Sequence, residues 1–293
     1  LKNGASTESQ TNGLLTPIFY AVENSALEAL RLLIENKANV DHQNEYKRTV
    51  LQEAVIIDNR DAADIILLSS KKLNNIDVYG RNVMFDAVAN GNKDLILEIT
   101  NTNQVDLNQV DETGRTILHQ NEVMTNSEMA ITLMEQGADP TIEDENGKNF
   151  LFYAAAKGIE SQDIIEKAID LGCNINSRSN ENQTILMETL LAFKDLPKKS
   201  EKRTSLLEMI NKLIDEGVDI NSEDMYNETA LFIAIRNNDM DCIQLLLDQA
   251  NLEINHQNKQ GDTVLNLVVY KGITHMELII LLLSYDANPN IKD

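Results

Sequence analysis

Apolar and polar positions alternate along this chain in a block that keeps returning. The block Thr16-Pro17-Ile18-Phe19-Tyr20-Ala21 reappears as Thr49-Val50-Leu51-Gln52-Glu53-Ala54 and as Asn82-Val83-Met84-Phe85-Asp86-Ala87. It continues with Thr116-Ile117-Leu118-His119, Asn149-Phe150-Leu151-Phe152-Tyr153-Ala154, Thr184-Ile185-Leu186-Met187, Thr229-Ala230-Leu231-Phe232-Ile233-Ala234 and Thr263-Val264-Leu265-Asn266. The first residues step by 33, 33, 34, 33, 35, 45 and 34. A fixed period in this range is the mark of a repeat architecture. The third position of the block is always apolar, which places it in a core, and the sixth is alanine in five copies, which lets two helices approach closely. After each block the apolar spacing is helical, as in Leu27, Leu30, Leu32, Leu33 and Ile34, or Ile243, Leu245, Leu246 and Leu247. Two residues before the block stand Gly80, Gly114, Gly147 and Gly261, with Asn182 and Asn227 in two other copies. Glycine and asparagine tolerate a left-handed backbone, so a turn is predicted at that point.

A second landmark closes most repeats: Lys37-Ala38-Asn39-Val40-Asp41, Gly137-Ala138-Asp139-Pro140, Gly172-Cys173-Asn174-Ile175-Asn176, Gly217-Val218-Asp219-Ile220-Asn221 and Asp286-Ala287-Asn288-Pro289-Asn290. Opening and close together resemble the ankyrin repeat family. The resemblance implies an all-α fold, a helix–turn–helix solenoid with β-hairpin fingers and about eight repeats. They form one continuous array over 14–293, with repeats starting near 14, 44, 77, 110, 144, 178, 223 and 257, behind a flexible polar tail at 1–13. Only Pro17 and His119 keep the family's proline and histidine. Hydrogen bonding between repeats from that histidine is therefore not expected, and apolar packing is expected to compensate. Asn121 stands where the fourth repeat should carry its small alanine, which predicts poorer packing there.

Two short insertions fall between helices, at Gly158–Asp163 and Gly272–Met276. A longer one spans 194–204, holds Pro197 and lacks apolar periodicity, which fits an exposed loop or a helix extension. The last apolar run, Leu278 to Leu283, implies either a further repeat or a covering partner, because a terminal repeat needs a polar outer face. Both ends read as cut.

Charge narrows the function. The 293 residues carry 47 Asp and Glu against 25 Lys and Arg, a formal net charge of −22. Such a field repels phosphate backbones and anionic membranes and favours basic partners. The longest apolar run is far shorter than the roughly 18 residues of a membrane span, so no membrane insertion is expected. Cys173 and Cys242 lie in different repeats, too far apart to pair, and are expected to be free and buried. His42, His119, His256 and His275 fall in separate repeats, and no phosphate loop, nucleophile elbow or zinc motif occurs. No catalytic, cofactor or metal site is expected, and no enzyme.

What remains is surface. The resemblance implies that fingers and first helices form a concave face that binds other proteins. The fifth position of the block contributes Tyr20, Glu53, Asp86, Tyr153 and Glu188, and the residue three before the block contributes Tyr46, Tyr79 and Tyr226. Tyrosine combines area with a polar tip, which suits an interface anchor; the rings could equally pack on neighbouring fingers. The expected function is a monomeric, non-catalytic scaffold that binds a partner with a basic segment, the tyrosines as anchors and Glu53, Asp86 and Glu188 as steering charges. Two alternatives are a targeting fragment of a larger effector, envelope or multidomain protein, and a small-ligand-binding array. Lys194, Lys198, Lys199, Lys202 and Arg203 form a basic island that is solvated, docks intramolecularly or makes a second contact site. A cytoplasmic location fits the free cysteines; a processed envelope or secreted protein would look similar.

Overall fold

The computed structural model describes residues 6–194, 196–197, 199–270 and 276–291. It is nearly all helical and divides into two compact units, Leu1–Ile142 and Glu143–Asp293. In the N-terminal unit, α1 (Pro17–Glu23) pairs with α2 (Leu27–Glu35), α3 (Val50–Ile56) with α4 (Arg60–Leu67), and α5 (Val83–Ala89) with α6 (Lys93–Asn101). A short 3-10 turn, Ile117–His119, precedes α7 (Asn121–Met124) and α8 (Ser127–Glu135). In the C-terminal unit α9 (Phe150–Ala155) leads through a 3-10 turn, Ile159–Ser161, into α10 (Gln162–Asp170). There follow α11 (Ile185–Leu191), α12 (Glu201–Asp215), α13 (Ala230–Arg236), α14 (Met240–Leu247), α15 (Val264–Tyr270) and α16 (Met276–Ser284).

The first residue of the repeated block is a helix cap. Thr49 accepts the Gln52 N–H at 3.3 Å, Asn82 the Met84 N–H at 3.1 Å, Asn149 the Leu151 N–H at 3.1 Å and Thr184 the Met187 N–H at 3.3 Å. Each satisfies one of the donors a helix start leaves open. The second helices are capped likewise by Asn59, Asn92, Asn126, Ser200 and Asp239. All eight third-position residues and the five alanines of the block are buried. Each large apolar side chain so placed contributes about 1.5–3 kcal/mol.

The left-handed turn occurs before all eight blocks, including the two without glycine or asparagine: Leu14 has φ 58° and Lys47 φ 57°. The fingers are tight turns rather than β-ladders. Among the described residues the only strand-like pairings are isolated antiparallel bridges, Gln43 with Thr49 and Arg178 with Thr184. A polar side chain at the finger's base explains the compactness. The Oδ1 of Asn44, Asp77, Asp111, Asp144, Asp224 and Asn258 accepts backbone N–H groups two and four residues ahead. This closes the turn locally and leaves little chain to form a ladder.

Polar contacts from groups other than the family's histidine link successive repeats. In the N-terminal unit, Val78 N–H donates to Tyr46 O at 3.0 Å and Glu112 N–H to Tyr79 O at 2.9 Å. In the C-terminal unit, Met225 N–H donates to Glu181 O and Lys259 N–H to Tyr226 O. Closing-motif asparagines add a second series. Asn108 Oδ1 accepts Asp139 N–H at 2.7 Å, Asn176 Oδ1 Asp219 N–H at 2.8 Å, Asn221 Oδ1 Glu253 N–H at 2.9 Å and Asn255 Oδ1 Asn288 N–H at 2.7 Å. A short amide has both donor and acceptor, so one asparagine can tie its motif to the next repeat, as Asn108, Asn221 and Asn255 do by also donating to Gly137 O, Asn251 O and Asp286 O.

The first helix of the fourth repeat is broken. Gln120, with φ −77° and ψ 143°, is extended, and the helix resumes as the four residues of α7. This is the place where Asn121 stands for alanine. The insertion at 158 forms the 3-10 turn, and the one near 272 falls at 271–275, outside the described residues, as does His275. Of the long insertion, 201–204 becomes the first turn of α12, whose 15 residues make it the longest helix described. Residues 1–5 of the polar tail lie outside the description; further along it, Glu8 Oε1 accepts Asn39 N–H at 3.0 Å and Gly13 O accepts Glu45 N–H at 3.0 Å.

Candidate interaction surface

Among the described residues no group of three or more His, Cys, Asp and Glu side chains stands where it could hold a metal ion. Two histidines are structural. His42 Nε2 donates to Leu14 O at 2.8 Å with its ring edge-on to Phe19, and His256 Nε2 donates to Asn227 O at 3.0 Å with its ring edge-on to Phe232. Each ties a left-handed tip residue to the core. His119 Nδ1 accepts the Thr116 N–H at 3.1 Å and caps its own 3-10 turn. Neither Cys173 nor Cys242 is in a disulfide and both are buried, and burial raises the Cys242 thiol far above its ordinary value, so it stays a neutral thiol.

In the N-terminal unit the finger tyrosines stand out: Tyr46 is 51 % and Tyr79 44 % exposed, and Tyr20 on α1 is also exposed. Each finger ring is also covered on one side by the arginine two residues on. The Arg81 guanidinium lies 4.9 Å from the Tyr79 centroid, and Arg48 lies 6.0 Å from that of Tyr46. The rings stack on an arginine of their own finger, where the sequence reading offers the neighbouring finger, and they remain exposed. Beneath them Asp77, fully buried, takes Arg81 at 3.1 Å and Arg48 at 3.6 Å. Glu53 is half-buried and accepts from Asn44 Nδ2 at 2.9 Å.

Asp86 departs from the expected steering charge. It is 8 % exposed, and its Oδ2 has no hydrogen-bond partner. Burial pushes its carboxyl up to about 7, against the pull of Arg81 and Arg48. The position faces the right way in the register, but its depth removes the carboxyl from solvent, and near neutral pH it is about half protonated.

In the C-terminal unit Tyr153 is half-buried, and its hydroxyl donates to Asp144 Oδ2. That bond and the backbone N–H groups of Lys148 and Asn146 hold the Asp144 carboxyl below its ordinary value, against the cost of burial. Glu188 Oε2 pairs with Lys148 Nζ at 2.7 Å. These residues are tied to one another rather than presented freely. Tyr226 differs, at 53 % exposed. It borders an open groove of about 430 Å³ whose apolar lining is Leu191, Ile233 and Leu267, with Tyr270 as a second ring. Glu228, Asp262 and Arg236 line the same groove, with Arg236 bonded to Glu228 Oε1.

Sequence reasoning missed Leu191, Arg236, Tyr270 and Asp262 as surface residues. Asp262 had a periodic signal. The residue just before each block reads Leu15, Arg48, Arg81 and Arg115 in the N-terminal unit and Lys148, Gln183, Glu228 and Asp262 in the C-terminal unit. The two acidic residues of this row, Glu228 and Asp262, both belong to the C-terminal unit.

Two residues of the basic island, Lys202 and Arg203, pack against the protein. Lys198 lies outside the described residues, and Lys194 and Lys199 are exposed. Arg203 is buried at 7 %. Its guanidinium binds both carboxylate oxygens of Asp239, reaches Asp241 at 2.7 Å and lies 5.4 Å from the Phe193 centroid. Lys202 Nζ donates to Lys157 O. The helix extension thereby docks on the acidic start of α14.

Known proteins agree with this architecture. A family model described as ankyrin repeats (3 copies) matches residues 201–293, and one described as ankyrin repeats (many copies) matches 18–68. The human transient receptor potential cation channel subfamily A member 1 is 25 % identical over 313 residues, covering 92 % of this chain. The chain spans only 27 % of the length of that relative. Among solved structures, the ankyrin repeat domain of Bcl-3, described as a unique member of the IkappaB protein family, superposes with a TM-score of 0.62 at 21 % identity. That match covers 79 % of this chain and 98 % of the Bcl-3 domain. The period of the blocks, the capped helix pairs with their left-handed fingers, and these matches give one answer: the chain carries ankyrin repeats and has their fold.

Proposed function

We propose that the chain is a non-catalytic scaffold that captures a basic segment of another protein on the acidic face of its C-terminal unit. Ankyrin repeats are typically protein-interaction modules, and their fold is generally a non-catalytic scaffold. The observation that carries the finer reading is the groove beside Tyr226, where an exposed tyrosine, an apolar lining and the carboxyl-bearing residues Glu228 and Asp262 meet. Charge of this sign steers a basic segment, and the exposed ring supplies short-range affinity. Tyr46 and Tyr79 offer a second set of anchors on the N-terminal unit.

The test is affinity capture on the purified chain at low and high salt, followed by direct titration of the captured protein. A basic partner held at low salt, released at high salt and lost with Asp262→Asn supports the reading. Binding that ignores salt refutes it. A second reading, in which the array is one interaction segment of a much longer protein, is favoured by the human channel subunit, of which the matching region is 27 %. In that case the partner could be another segment of the same polypeptide.

A further inference from the structure

The groove of the C-terminal unit has more specific chemistry than an acidic surface. Its lining offers the flanks of Ile233 and Leu267, otherwise nearly buried, and the more open Leu191. Tyr226 is half exposed and Tyr270 is 89 % exposed, so both rings have apolar area still to lose. Asp224, Glu228 and Asp262 set three carboxyl groups against the single guanidinium of Arg236, which is already bonded to Glu228. An acidic segment would meet this excess of like charge, and a purely apolar one would desolvate the carboxylates without pairing them. A cation beside an apolar side chain satisfies both parts of the wall.

We propose that this groove seats one bulky aliphatic side chain of an extended partner segment, between Tyr226 and Tyr270, with a neighbouring lysine or arginine paired to Asp262. The proposal rests on the scaffold reading above and names the partner's chemistry.

The probe is a capped Gly/Ser peptide carrying one leucine between two lysines, titrated into the full chain with ring-labelled tyrosine and followed by NMR. Tyr226→Phe and Tyr270→Phe assign the two ring signals. Those two signals should shift. Changing leucine to serine, or both lysines to glutamate, should weaken binding about tenfold or more, as should Tyr226→Ala in the protein. Tyr79→Ala, on the other unit, should change it less than about twofold. Equal binding of the serine peptide, with the glutamate peptide lost, would overturn the groove and leave the acidic-face reading standing. Equal binding of the glutamate peptide would overturn both. Shifts absent from Tyr226 and Tyr270 with every peptide would overturn the groove.

Discussion

Changing Asp86 to asparagine should make the protein more stable at alkaline pH and alter how its stability depends on pH. Asp86 is almost wholly buried, and its carboxyl is raised from 3.8 to about 7 because burial disfavours the anion more than Arg81 and Arg48 favour it. The folded state therefore holds a proton that the unfolded chain has released. Below the unfolded value the group is neutral in both states and costs nothing. As pH rises from there through the folded value, stability is lost, and above it the loss is complete. A difference of this size corresponds to about 4 kcal/mol in total, of which about 2–3 kcal/mol falls between pH 5 and pH 8. Asparagine keeps the shape and cannot ionise. The assay is urea unfolding of parent and Asp86→Asn across that range, with the Asp86 carboxyl titration read directly by ¹³C NMR. The variant's advantage should grow by about 2–3 kcal/mol from pH 5 to pH 8. A difference independent of pH, or one that shrinks as pH rises, would refute the argument that burial dominates.

Three further changes probe the framework. Arg203→Ala leaves Asp239 buried without its partner and should cost about 3–5 kcal/mol, whereas Arg203→Met combined with Asp239→Asn removes both charges, keeps the α14 cap and should lie within about 1 kcal/mol of the parent in chemical denaturation. Lys47→Gly relieves a left-handed backbone at a finger tip and should raise the unfolding free energy by about 0.5–1 kcal/mol, while the same change at an exposed helical position such as Lys93 should lower it. Gly158→Ala places a methyl 2.1 Å from Ser205 Oγ on a backbone of φ +93°, and a loss of about 1–3 kcal/mol in thermal unfolding is expected.

The repeated blocks determined the architecture without help from tertiary structure. An apolar third position, a capping Thr or Asn and a tip that accepts positive φ are local requirements, so each repeat spells them out afresh. Even Leu14 and Lys47 adopt the tip conformation, because the base of the finger and the start of the next helix fix it from both sides. Asn121 in place of alanine marked the fourth repeat as irregular, but that its first helix breaks at Gln120 came only from the structure. Depth was not. Glu53, Asp86, Tyr153 and Glu188 occupy one register position, yet Asp86 is buried, Tyr153 is bonded to Asp144 and Glu188 is paired with Lys148. Register fixes the direction in which a side chain leaves its helix. How far it stays from water depends on side chains from neighbouring repeats, 30 to 45 residues away, whose identities vary independently of the period. Tertiary structure alone decided which alternative holds for Arg203, written in a stretch that reads as a loop or a helix extension, solvated or docked, by burying it against Asp239, and that Leu191, Tyr226, Ile233, Leu267 and Tyr270 share one groove.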